Sequence, residues 1–368
     1  ANTTAALTDE QSINNVFSSL CTLYVSSRPT YTALNTWAGE NVAADYLDQG
    51  ENRDQMVSAW TVDNEGPGVG CTLTAAITGL VSGVTPTYTK GYSIAMTYRD
   101  PSFTGTFNFN SQVVYNGTKW LWYGDRKWID TDFGAEMHRQ INSSGTNFYS
   151  GIGMWMDDNY SYAYNQGVRS AVVSAVVGTT TGYVVLGNQF PDTWYSIQSG
   201  ICANTGGNHC WLDNAIISQM VDFGSYTVKL CSEDAAALAS NPMACTALQT
   251  YVGAIGKKPL LNTQLTNAMF PTLITPSSLS VSGMGWDDGF VQISWSNPAQ
   301  GLKVDHVDLQ WPTATGYGKA QQDFQGTSLT SVNLDTAGQT TVPTNAGLWM
   351  SGWDDANNVQ YSSSWSFN

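Results

Sequence analysis

Charge and histidine are scarce in this chain. Of its 368 residues only 12% are charged, and Lys plus Arg number 14 against 29 Asp plus Glu, for a formal net charge of −15. So few cations disfavour nucleic acid or an anionic lipid surface as a partner; the surface suits cations instead. Three histidines leave little general-base chemistry. The sequence also contains no GxSxG, HExxH, phosphate-binding or dinucleotide-binding glycine pattern. No apolar run is long enough to cross a bilayer as a helix. The chain starts at Ala1 without an initiator Met, which is read as the product of signal-peptide cleavage and predicts an extracellular or cell-surface location.

What is present is polar, uncharged and aromatic. Ser, Thr, Asn, Gln and Gly carry solubility, while Thr, Tyr, Trp and Val favour strands, so a multidomain, mainly β protein is expected. Six cysteines, an even number, predict local disulfides in an oxidising compartment: Cys21 with Cys71, Cys202 with Cys210, and Cys231 with Cys245. The rival is a zinc site from Cys202, His209, Cys210 and Cys231, which lacks the CxxC knuckles such sites use.

Thr8 and Gln11 form a capping box, followed by Ile13, Val16, Phe17 and Leu20 at helical spacing. Shorter helical pieces are predicted over Tyr31 to Trp37 and Val42 to Leu47. From Cys71 the pattern changes to strands, with "TFNFNSQVVY" and "KWLWYGDRKWI" joined by Asn116-Gly117, a hairpin signal. With its amphipathic first helix and its closing hairpin "VVYNGTKWLWYGDRKWIDTDF", the segment 8–141 resembles the NTF2-like (SnoaL-like) superfamily. The resemblance implies an α+β cone over residues 1–141, and it leaves activity open because that superfamily holds isomerases and proteins without chemistry. An enzyme of this shape would need an acid/base pair inside the cone. The one histidine here, His138, follows the last expected strand beside Arg139, and Asp125, Asp130 and Asp132 read as a solvated strand terminus.

"INSSGTNF" (Ile141 to Phe148) reads as a linker, and "PTLITPSS" (Pro271 to Ser278) as a second, extended connector. Between them, over 142–271, short strands predict a β-sandwich with an Ala-rich helical insertion pinned by Cys231 and Cys245. Seven alternating segments over 272–368, with Trp295 in the second, resemble an immunoglobulin or fibronectin type III module. The missing disulfide favours the fibronectin-like variant.

Adjacent aspartates recur beside tryptophans in "GWDDGFVQISW" and "GWDDANNVQYSSSW". Asp287 with Asp288 and Asp354 with Asp355 read as turn residues at opposite ends of one sandwich, too far apart for paired-carboxylate hydrolysis. Calcium is the ion either pair could take, though neither has the alternating acids of a dedicated loop; no other cofactor is expected. Asp157 and Asp158 read likewise. Tyr160, Tyr162 and Tyr164 alternate, as on one strand face, and read as a subunit contact used in assembly, with glycan stacking as the rival. Sequons occur at Asn2, Asn116, Asn142 and Asn159. The uncharged arm Ala1, Asn2, Thr3, Thr4, Ala5, Ala6 and Leu7 suits strand addition to a neighbour. The resulting expectation is a non-enzymatic structural subunit of an extracellular polymer, made of copies of itself; the alternative is a monomeric surface protein that binds a glycan or small ligand.

Overall fold

The computed structural model describes residues 7–63, 65–84, 86–101, 106–188, 195–286, 289–314, 316–324, 329–339 and 341–368. Strand accounts for 47% of the described residues and helix for 19%, so the mainly β expectation holds. The chain divides into two compact units, one running to Asp130 and including Asp157–Gln166, the other comprising Thr131–Met156 and Gly167–Asn368.

The first unit opens with helix α1 (Asp9–Leu23), where the Gln11 amide donates to Thr8 Oγ1 and the Thr8 amide to Gln11 Oε1. Its apolar face, Ile13, Val16, Phe17 and Leu20, is buried as the spacing requires. Helix α2 (Tyr31–Asn41) follows, capped by Thr30. The next stretch, expected to be helical, is a β-bridge followed by a turn: Val42 bridges to Trp122, the Ala43 amide donates to the Trp122 carbonyl, and the Tyr46 amide donates to the Ala43 carbonyl. A small hairpin, β1 (Leu47–Asp48) with β2 (Glu51–Asn52), leads into α3 (Arg53–Ser58), whose cap Asn52 accepts from the amides of Asp54 and Gln55. The antiparallel sheet then runs β3 (Thr72–Leu80), β4 (Lys90–Arg99), β5 (Thr106–Tyr115), β6 (Trp120–Gly124) in sequence order. Asn116-Gly117 makes the β5–β6 turn: Gly117 takes φ 97°, and Asn116 Oδ1 accepts from the amides of Thr118 and Lys119. Trp122 is the hub of the core, packed edge-on by Phe17 and Tyr46. Helix α4 (Tyr162–Asn165) belongs to the same unit.

The second unit begins with two long strands, β7 (Asp130–Asn142) and β8 (Gly145–Asp157). The expected linker at 141–148 is the turn between them, in which Asn142 Oδ1 accepts from the Ser144 amide. Asn, Ser and Gly here are turn chemistry, and the boundary lies at residue 130 rather than 141. There follow β9 (Ser170–Val177), β10 (Thr180–Asn188), β11 (Tyr195–Gly200), β12 (Asn204–Gly206), β13 (His209–Trp211), helix α5 (Asn214–Gln219), β14 (Ser225–Cys231), helix α6 (Ala235–Leu238) and β15 (Ala247–Ala254). The expected helical insertion is thus short. Its second half is a strand, because the Cys231–Cys245 bridge returns the chain beside β14 and Thr250, Tyr251 and Val252 pair there.

The chain continues through β16 (Thr272–Thr275), β17 (Phe290–Ser296), β18 (His306–Thr313), β19 (Gly316–Asp323), β20 (Ser331–Asp335), β21 (Ala346–Asp354) and β22 (Val359–Phe367). The presumed connector after Pro271 is itself strand β16, paired with β17. The first of the seven expected segments, ahead of the one holding Trp295, contains a 3-10 turn at Val281–Met284 instead of a strand, with the Trp286 indole donating to the Val281 carbonyl.

Among the described residues, the second unit contains a five-stranded sheet, β11-β10-β9-β14-β15, a three-stranded sheet, β16-β17-β20, and an eight-stranded sheet, β12-β13-β8-β7-β22-β21-β18-β19. One face of the eight-stranded sheet is mostly apolar, with Arg139 and Ser363 as buried polar exceptions. Ile152, Met154 and Cys210 face Val173 and Val184 of the five-stranded sheet, and Leu309, Leu348 and Trp365 pack with Val291, Ile293 and Trp295 of the three-stranded sheet. Its opposite face carries the polar members of the same strands.

All three expected disulfides are formed. Cys21–Cys71 closes a loop of 50 residues between α1 and the start of β3. Replacing both cysteines with serine is expected to lower the stability of the first unit by about 4 kcal/mol, from the loop-closure entropy returned to the unfolded chain. Urea unfolding followed by tryptophan fluorescence checks this.

Candidate functional site

The polar face of the eight-stranded sheet holds a cluster of histidine, carboxylate and indole side chains. Strand alternation puts Trp349, Ser351 and Trp353 of β21 there, with His306, Asp308 and Gln310 of β18. Register then aligns them: His306 lies opposite Ser351, which lies opposite Ser362, which lies beside His138; Trp353 lies opposite Gln360, beside Glu136. On the other flank His209 and Trp211 of β13 face Gly153 and Gly151 of β8. A Cβ at Gly153 would collide with the Trp155 ring, so glycine there is what lets this indole fold back over its own strand.

Beneath the rings lies a buried hydrogen-bond chain. Glu136 is fully buried; its Oε2 meets His209 Nδ1 at 2.6 Å and its Oε1 accepts from the Ser362 hydroxyl at 3.0 Å. With its one proton so used, Ser362 Oγ accepts from His138 Nδ1 at 2.8 Å, leaving His138 Nε2 to accept from Ser364 at 3.0 Å. Burial pulls His138 down to about 4, with the His209 and Arg139 charges adding and Glu136 opposing, so its imidazole is neutral at pH 7. Burial also pulls His209 down, but the Glu136 hydrogen bond and charge outweigh it and leave His209 above its ordinary value. The rings stack in a layer: His138 on Trp349 at 4.7 Å, and His209 on Trp211 at 5.3 Å with an interplanar angle of 2°.

Above this layer opens a groove of about 610 Å³. Trp155, Trp349 and Trp353 form its apolar walls, and Trp155 meets Trp353 edge-on at 5.8 Å. Its polar lining comes from Asp132, Asp305, Asp308, Asp323, Asp355, Gln310 and Gln360, together with His209 and His306. His306 Nδ1 lies 2.5 Å from Asp323 Oδ1, and Lys319 lies 3.0 Å from Asp308 Oδ2. Burial raises Asp132, Asp305 and Asp355 above the usual carboxylate range, and the charge on Asp355 adds to the first two. No family model matches the sequence, and no curated protein matches it.

The residues singled out from sequence fare unevenly. Asp287, Asp288 and arm residues Ala1 to Ala6 lie outside the described residues; Leu7 is exposed. Asp354 accepts from the Asn357 amide and side chain in the β21–β22 turn, while its neighbour Asp355 lines the groove. Among the described residues, no group of three or more His, Cys, Asp or Glu side chains is arranged to hold a metal ion. The zinc alternative fails because its cysteines are oxidised and His209 is bound to Glu136. Tyr160, Tyr162 and Tyr164 share no strand face: the buried Asp158 carboxylate accepts from the amides of Ala163 and Tyr164 and coils the segment into turns, with Tyr160 and Ser161 in left-handed conformation. Asp158 is therefore a buried cap.

Asp125 is no solvated terminus either, being buried and accepting from the amides of Gln49 and Lys127. Burial and the Asp125 charge push its neighbour Asp48 up to about 8. His138 sits mid-strand instead of after the sheet. Arg139, on the opposite face of β7, is buried over Phe270 and Trp365, donates to Asn267 and the Pro271 carbonyl, and is lowered to about 10 by burial.

His138 takes up a proton on unfolding below pH 6.5 but resists it in the fold down to about 4, so its contribution is present above 6.5 and lost as pH falls through that window. Between those limits the protein is expected to lose about 3 kcal/mol more stability than a His138→Gln variant, measured by denaturant unfolding at stepped pH.

Proposed function

We propose that this protein is a carbohydrate-binding protein whose ligand lies in the groove on the eight-stranded sheet. The observation that carries the reading is the pairing of three half-buried indoles, Trp155, Trp349 and Trp353, with carboxylate and amide acceptors in one open groove. A pyranose ring has an apolar C–H face and a rim of hydroxyl donors. Indole faces stack on the first, and carboxylates make charge-assisted hydrogen bonds with the second. An open groove admits a chain of sugars where a closed pocket would admit a single small molecule. The buried Glu136–Ser362–His138 chain holds the strands under the indoles and keeps the platform rigid, which lowers the ordering cost of binding.

An extracellular setting agrees with this reading. Three disulfides fit an oxidising compartment, and no described helix is long and apolar enough to cross a membrane. The helices-then-four-strand order of the first unit supports the NTF2-like resemblance. In the second unit, pairing of β16-β17-β20 against β22-β21-β18-β19 supports the fibronectin type III resemblance.

One observation favours a second reading, assembly of copies of this chain into an extracellular polymer. Strand β15 is the edge of its sheet and presents exposed Leu248 and Val252, the kind of apolar edge that strand addition would cover. Size-exclusion chromatography and negative-stain images decide it: polymers support assembly, and a particle of about 40 kDa rejects it.

The groove is tested by glycan-array screening followed by calorimetry on the best oligosaccharide. Trp353→Ala is expected to weaken binding by about tenfold or more without lowering the unfolding temperature, from the loss of one stacking surface. A folded protein that binds no glycan on the array overturns the reading.

A further inference from the structure

The electrostatics of this groove narrow its ligand beyond sugar in general. Its described lining carries five aspartates and no Lys or Arg, and its two histidines are already held by acids, His209 by Glu136 and His306 by Asp323. Lys319, beside the groove, is committed to Asp308. A neutral ligand would leave that excess of like charge uncompensated.

Asp308 supplies an independent sign that a donor belongs here. The residue is only 8% exposed. Its Oδ2 is met by Lys319 and by Gln310 at 3.3 Å, but its buried Oδ1 has no hydrogen-bond partner among the described residues. Gln360 Oε1, also in the lining, is likewise buried without a partner. Both orphaned atoms are acceptors. An unmet buried acceptor is costly, and more so when it belongs to a charged group, so a ligand donor that the Asp308 carboxylate turns to meet would relieve that cost.

The walls specify what kind of cation. A divalent metal needs several oxygens converging at one point, an arrangement not found among the described residues, and it gains little from indole faces. An organic ammonium gains from both surfaces, pairing with carboxylates and lying over the negative face of a Trp ring. The elevated Asp132, Asp305 and Asp355 carboxyls, raised first by burial and then by neighbouring acids, are groups a cation would return toward their ordinary values.

We infer that the groove is selective for amine-bearing sugars, oligomers of a de-N-acetylated amino sugar, whose rings stack on Trp155, Trp349 and Trp353 while their ammonium groups meet Asp305, Asp308 and Asp355. This rests on the carbohydrate reading above and adds charge selectivity to it. N-acetylation removes the cation and one donor while leaving the ring face intact, so it separates the two claims. Salt weakens the ammonium contacts at the exposed rim more than the stacking.

The experiment is calorimetric titration of the full chain, at about pH 6 so that the amines are charged, with glucosamine tetramer, N-acetylglucosamine tetramer and spermine. The expected result is that the glucosamine tetramer binds about tenfold or more tightly than the acetylated one, and that Asp355→Asn and Asp305→Asn each narrow this gap to about threefold or less. Thermal unfolding confirms that both variants fold; Asp355 is exposed, and Asn at 305 keeps an acceptor for the Trp353 amide. Equal affinity for the two tetramers, or preference for the acetylated one, overturns the charge inference while the carbohydrate reading stands. Binding of spermine with no binding of either tetramer overturns both, as does the absence of any binding.

Discussion

The second unit depends on one pairing, the parallel ladder between β7 and β22, in which residues 135 to 141 lie beside residues 359 to 365. Every other neighbouring strand pair with a described register is antiparallel, and this ladder joins segments more than two hundred residues apart. Closing so long a loop carries an entropic cost that grows only slowly with its length. The apolar face of β7 adds burial to the ladder's hydrogen bonds. Ala135 and Met137 pack with Val359, Leu265 and Phe270, and Ile141 reaches the core shared by β17, β18, β21 and β22. Without this seam the eight-stranded sheet would be two four-stranded halves, each with an exposed edge.

The same ladder places chemistry on its other face. Glu136 and His138 arrive beside Ser362 and Ser364 because side chains alternate, so packing residues 135 and 137 inward obliges 136 and 138 to point outward. There they are covered by Trp211 and Trp349 rather than by water, and a buried carboxylate is tolerated only because His209 and Ser362 both satisfy it. Of the indoles above the network, Trp349 stacks on both imidazoles, Trp155 meets His209 edge-on, and Trp353 leans on Trp155. The groove is therefore a property of the seam: its floor comes from β7 and β22, and its walls from β8 on one flank and β21 on the other.

Local features were legible in the residues themselves. The Thr8–Gln11 capping box, the Asn116-Gly117 turn and the alternation of β17 to β22 each depend on atoms within a few residues of one another, and each formed where expected. The disulfides were readable for a related reason, since each bridge joins cysteines adjacent in the order along the chain. Errors arose where one composition serves two purposes. The Asn, Ser and Gly of 142–145 make a hairpin turn as readily as a linker, and Tyr160, Tyr162 and Tyr164 follow a strand period although Asp158 coils the backbone beneath them. A sharper signal was available in "GLWMSGWD": Trp349 and Trp353 share a strand face with Ser351, opposite the buried Leu348 and Met350, and two indoles on an outward face mark where the groove lies.

The sequence by itself determined the caps, the turns, the strand periods, the cysteine pairs and the acidic net charge, because these follow from composition and from backbone preference over short distances. Only the tertiary structure decided that the chain splits near residue 130, that β7 lies parallel to β22, and that Asp132, Trp155, His209, Asp308 and Trp353 line one groove. The physical reason is register. Which strand lies beside which is set by burial summed over whole sheets, and one residue of slip would turn Glu136 and His138 into the core and Ala135 and Met137 out of it.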